Sequence, residues 1–178
     1  MKKLFAALVL CLSPLAAHAQ QAPGSALKEK MKSLDFLSGQ WRGEGWAVVG
    51  PGERHTFTIE ESVQPRLGGL VVLIEGLGRT KDGPRAGAVS HNALATLAYD
   101  ERAGQFRFRA YQMEGHYTDA EAKVGDRTLE WGFADARVGT IKFTIRVNDA
   151  GEWTEIGEVS RDAKTWAKFL EMTLRRVK

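Results

Sequence analysis

Leu34-Asp35-Phe36-Leu37-Ser38-Gly39-Gln40-Trp41-Arg42-Gly43-Glu44-Gly45 is the stretch in which the hydrophobic period of this chain changes, and the change decides the fold. Upstream of it, Leu27, Met31, Leu34 and Leu37 fall at spacings of four, three and three, the apolar stripe of a short helix with Ser25 as its N-cap. Gly39 stops the helix, and from there the period drops to 2. Ten strand-like segments follow, at about 40–49, 54–63, 69–79, 91–100, 104–113, 116–124, 127–133, 139–148, 152–161 and 165–177. Between them stand turn sequences such as Gly50-Pro51-Gly52, Asp82-Gly83-Pro84 and Val124-Gly125-Asp126.

Links this short make neighbouring strands antiparallel, because a parallel crossover needs a dozen or more residues. Ile141, Phe143, Ile145 and Val147 alternate with Thr140, Lys142, Thr144 and Arg146. Leu129, Trp131 and Phe133 share one parity of the seventh strand, and Trp166, Leu170, Met172 and Leu174 one parity of the last. One face is therefore buried and the other wetted. Ten open strands would leave two long exposed edges, and closure removes both. The reading is all-β: a ten-stranded up-and-down antiparallel barrel with a short N-terminal helix near one end. A Greek-key sandwich would want a long connection between distant strands, for which only Thr80–Ser90 is available.

The opening of the chain is read apart from the fold. Lys2 and Lys3 precede an apolar run to about Leu15 and then Ala17-His18-Ala19, the pattern of a secretory signal peptide over 1–19. Residues 20–25 form a flexible lead-in, and 26–178 a single domain. The apolar run is too short to span a bilayer, and Cys11 lacks the small neighbour of a lipoprotein site, so no membrane anchor is expected. Cleavage would remove the single cysteine, and with it disulfides, thiolate metal sites and cysteine nucleophiles. The expected location is periplasmic or secreted.

Without the two leader lysines, the 25 basic residues fall to 23 against 22 acidic, and the two signs are interspersed. A nucleic-acid binder concentrates its basic residues on one face, so nucleic acid is excluded as a partner.

The Leu34–Gly45 segment resembles the opening signature of nitrobindin-like and related lipocalin-like barrels of the calycin group. The similarity continues through Glu60 or Glu61 before Gln64-Pro65, Gly68-Gly69, Glu75-Gly76, Tyr99-Asp100, Trp131-Gly132-Phe133, Trp153-Thr154-Glu155 and Phe169–Leu174. Gly39 permits the tight helix-to-strand turn, and Trp41 enters the closed end of the barrel as a plug. The resemblance implies a basic residue of the last strand stacked on that indole. Arg175 and Arg176 are the available partners, and strand parity lets only one face in. Haem-holding nitrobindins use a histidine near the C-terminus, whereas the last one here is His116. Neither haem nor another cofactor is expected.

No catalytic centre and no metal site emerges. His55, His91 and His116 have no His or carboxylate partner at a ligand spacing. Ser90 and His91 are adjacent on a strand and point to opposite faces, which argues against a nucleophile and its base. The glycine-rich stretches match no phosphate-loop pattern and serve turns and bends. Of the strand carboxylates Glu44, Glu60, Glu75, Glu155 and Glu171, most are expected to face water, as are Arg107 and Arg109; any that point inward must be paired. Trp46, Glu75, His91, Tyr111, Trp131 and Trp153 are the candidate ligand-contacting residues. The leading expectation is an exported barrel that binds a small, mostly apolar molecule. The rivals are a filled barrel whose Thr80–Ser90 loop meets an envelope protein, and an enzyme with Glu75 and His91 as acid and base at the mouth.

Overall fold

The computed structural model describes residues 24–49 and 52–177; the expected signal peptide and most of the lead-in lie outside these residues. The helix α1 (Ser25–Met31) runs on into a 3-10 turn (Lys32–Leu37). Its N-cap is Gly24, in left-handed conformation, and not Ser25, which is the first helical residue. Met31, Leu34 and Leu37 are buried, as their spacing requires.

Ten strands follow: β1 (Gly39–Val49), β2 (Glu53–Arg66), β3 (Val71–Thr80), β4 (Val89–Asp100), β5 (Gln105–Gln112), β6 (Tyr117–Gly125), β7 (Thr128–Asp135), β8 (Gly139–Val147), β9 (Glu152–Ser160) and β10 (Ala167–Arg176). Every sequential pair is antiparallel, and β1 also pairs with β10, so the sheet closes into a barrel. The Thr80–Ser90 stretch is not a crossover. It folds back on itself, with the Thr80 amide donating to Ala88 and that of Gly87 to Thr80.

Alternation sets which side chains fill the interior. Ile59, Glu61 and Val63 of β2 point in, as do Val72, Ile74 and Gly76 of β3. Outward residues form ion pairs across neighbouring strands, including Arg42–Glu60 at 3.0 Å and Arg107 and Arg109 with Asp119.

Simple counting fails in β10. The register slips between Lys168 and Leu170, so the faces exchange there. Phe169 and Leu170 both reach the interior as a result. Trp166, assigned by parity to the same face as Leu174, instead lies outside, with the Lys142 ammonium 4.4 Å from its ring centre.

One end of the barrel is stoppered. Gly39 has φ 137°, a conformation closed to most side chains, and the chain turns there from helix to strand. Trp41, 1% exposed, then packs edge-on against Trp153 with centroids 5.4 Å apart, and its Nε1 donates to Leu37 O at 2.8 Å. Arg176 covers the indole at 4.3 Å and donates to the carbonyls of Phe36 and Ser38. Arg175 points away from the plug and pairs with Glu152 at 2.6 Å.

Candidate functional site

Above the stopper the barrel is hollow. A cavity of about 350 Å³ is enclosed by residues from every strand except β6. Barrels of this strand number can hold one small ligand, and binding cavities start near ~300 Å³. Its mouth lies at His55, Thr80, Ser90 and Gln112, beneath the exposed connection between β3 and β4.

The wall is mainly aromatic and apolar. Trp131 is sandwiched between Phe108 and Phe143, with ring centres at 4.2 and 4.3 Å and planes 16° apart in both cases. Phe169 meets Phe143 edge-on at 5.6 Å. Ala93, Ala95 and Ala110 also line the cavity, and their small side chains leave the space that larger residues would fill.

Two carboxyl groups interrupt this surface. Glu61 is 7% exposed and lies opposite Trp41 on one neighbouring strand and Gly76 on the other. Glu155 is 9% exposed and shares the inward face of β9 with Trp153, two residues away. Both therefore sit toward the stoppered end. Neither joins an ion pair among the described residues; every pair involves other carboxylates. Burial pushes the Glu61 carboxyl up to about 8, helped by the charge of Glu155. Burial likewise pushes Glu155 up to about 7, an effect that the Trp153 indole N–H beside it partly offsets.

The space for Glu61 is made by a missing side chain. A Cβ on Gly76 would stand 2.7 Å from one Glu61 carboxyl oxygen and 2.9 Å from the other. Gly76 thus acts as the seat of the carboxyl group.

Donors are left over as well. Among the described residues, the buried side-chain polar atoms without a hydrogen-bond partner are Arg127 Nε and the indole nitrogens of Trp131 and Trp153, and both tryptophans line the cavity. The Trp153 N–H is close enough to act on the Glu155 charge but does not reach hydrogen-bond geometry. Buried polar groups are nearly always paired, so these two indole N–H groups are open to a partner from the cavity, whether water or another molecule.

The six residues chosen from sequence divide evenly. His91, Trp131 and Trp153 line the cavity. His91, half-buried near the mouth, has its pKa lowered by burial, against a smaller opposing pull from Glu114. Trp46, Glu75 and Tyr111 do not line it. Each has the opposite parity to a lining residue next to it: Trp46 beside Ala47, Glu75 beside Ile74 and Tyr111 beside Ala110. On the outside, Trp46 stacks under Arg54 at 3.7 Å and Tyr111 packs on Tyr117 at 5.0 Å. With Glu75 outside and His91 inside, these two cannot act as an acid–base pair. Glu61 was visible in sequence only as one of two adjacent glutamates. Its parity with Ile59 and Val63, both apolar, was the available signal.

Chemically, the cavity can surround an apolar body and offers two buried carboxyl groups to a polar one. Among the described residues no three histidines, aspartates or glutamates converge as metal ligands.

Solved structures with a similar fold include the crystal structure of Rv2717c from M. tuberculosis, at 13% identity and a TM-score of 0.60. The match covers 83% of this chain and 97% of that one, and at this identity it shows a shared fold alone. No curated protein matches the chain. The family described as "Protein of unknown function (DUF1579)" matches residues 27–176, and the chain belongs to that family.

Proposed function

We propose that this protein is an exported binding protein that holds a small, mostly apolar molecule inside its barrel, as a carrier or sensor. The observation that carries this reading is the cavity of about 350 Å³, walled by stacked aromatic rings and holding buried polar groups without protein partners. Such a space favours binding over the filled-barrel alternative, in which an envelope protein would meet the rim.

Export rests on the leader pattern of residues 1–19. The likeness to nitrobindin-like calycin barrels rests on the Leu34–Gly45 segment, in which Gly39, Trp41 and Arg176 take the parts that the resemblance implies. Haem is not part of the proposal, because residues 117–178 contain no histidine to hold it.

Native mass spectrometry of protein purified from its own host tests the reading. The expected result is a retained or exchangeable small molecule that is lost on substituting Ala110→Phe, which fills the cavity. Protein that carries nothing, and takes up no apolar probe when one is offered, would overturn it.

A further inference from the structure

We infer that the ligand carries a protonated amine on a mostly apolar body, and that Glu61 and Glu155 together receive its ammonium group. The inference rests on the proposed binding function and names the chemistry of the ligand's polar end.

Of the residues lining the cavity only His55, Glu61, His91 and Glu155 titrate, and no lysine or arginine is among them. The two histidines stand at or near the mouth. The positive charge at the stoppered end, Arg176, is already spent on the Trp41 ring and on the carbonyls of Phe36 and Ser38. Among the described residues, the two carboxyls are thus buried with no cation paired to either.

An uncompensated buried charge costs several kcal/mol, and a protein that gains nothing from the group loses it readily to an apolar residue. Here a Cβ at Gly76 would crowd the Glu61 carboxyl, so the glycine leaves that group its room.

Each ligand class leaves a different account of these groups. A neutral apolar molecule would leave both carboxyls unpaired. An anion would be repelled by whichever carboxyl is ionised, and no lysine or arginine lines the cavity to offset that. A metal ion would want more converging ligands. An ammonium group supplies up to three donors and a full positive charge, while its carbon skeleton lies against Phe108, Phe143 and Phe169. Entry of the cation favours the ionised carboxyls, so binding near neutral pH releases protons.

The test uses phenethylamine, phenethyl alcohol and 3-phenylpropionate, three probes of one shape that differ in charge. Each is titrated into the full barrel and followed by tryptophan emission, since Trp131 and Trp153 line the cavity. The amine should bind at least about tenfold more tightly than the alcohol, and the carboxylate should bind most weakly. In the double variant Glu61→Gln/Glu155→Gln the amine should lose that margin while the alcohol still binds, which also shows that the cavity is intact. Should the double variant not fold, Glu61→Gln alone serves, with Glu75→Gln on the outer face as an unchanged control.

Calorimetry of the amine in two buffers of different ionisation enthalpy should register proton release that the double variant lacks. Alcohol or carboxylate binding as tightly as the amine would overturn the inference and leave the binding function standing. So would an amine preference that survives in the double variant. Failure of all three probes would remove both.

Discussion

Raising the pH from about 5 to about 9 should destabilise the protein, by an amount that the two carboxyls of the cavity determine. A buried carboxyl whose pKa is raised keeps its proton in the folded state after the unfolded chain has shed it. Below the ordinary value of 4.5 both states are protonated and the group has no effect on the balance. From there up to about 8 for Glu61 and about 7 for Glu155, folding must take up protons, so stability falls as pH rises. Above those values the loss is complete and the curve flattens.

Each unit of displacement corresponds to about 1.4 kcal/mol, which gives an upper bound of about 8 kcal/mol for the two groups together. Water entering the mouth and relaxation of the wall raise the effective dielectric constant, and about 2–4 kcal/mol is the expected net loss. For a domain of this size that is a fall in Tm of about 5–15 °C. Thermal melts of the wild type and of Glu61→Gln/Glu155→Gln across this range isolate the contribution, because all other titrating groups are common to both. The wild type should lose its Tm steadily, and the double variant should lose much less. Equal slopes in the two proteins would refute the reasoning.

Further expectations concern the seat, the stopper and the hollow. Gly76→Ala should cost about 1–3 kcal/mol by crowding the Glu61 carboxyl, and much of that cost should vanish when Glu61→Ala is combined with it; additive losses in a denaturation cycle would contradict the contact. Trp41→Ala should cost about 3–5 kcal/mol, and Arg176→Ala about 1–3 kcal/mol through the lost stack and carbonyl bonds. Arg175→Ala should cost under about 1 kcal/mol because its pair with Glu152 is exposed, and urea melts that rank the two arginines the other way would count against the assigned faces. Ala110→Phe should reduce uptake of an apolar fluorescent probe by at least about tenfold with little effect on folding; undiminished uptake would place the probe elsewhere.

The fold was legible because its determinants are local. Period-2 alternation and short turns between Gln40 and Arg176 dictate an antiparallel meander, and the cost of free edges dictates closure. Strand ends came out within a few residues, since turn chemistry at sites such as Asp100–Gly104 marks them. The cavity was less legible. His91, Trp131 and Trp153 were chosen for residue type, and so were Trp46, Glu75 and Tyr111, which parity places outside. Counting parity from Trp41 and from Phe108 would have placed Trp46 and Tyr111 outside, whereas Glu75 shares its parity with Leu73 and Leu77 and carried no such signal. Trp166 could not have been placed that way, because the bulge at Lys168–Leu170 leaves no trace in composition. Glu61 was hidden by its neighbour Glu60, which faces water and pairs with Arg42.

Under the proposed binding function, the tryptophan at the base of the barrel would also fix the traffic of whatever enters. A tube open at both ends lets one guest push out another, whereas this vessel is a cul-de-sac, corked by Trp41 and clamped by Arg176. Arrival and departure must share one doorway under the hairpin after Thr80. Residence time of such a guest would then be governed by how often that doorway clears, and a newcomer would have to wait for the occupant to leave.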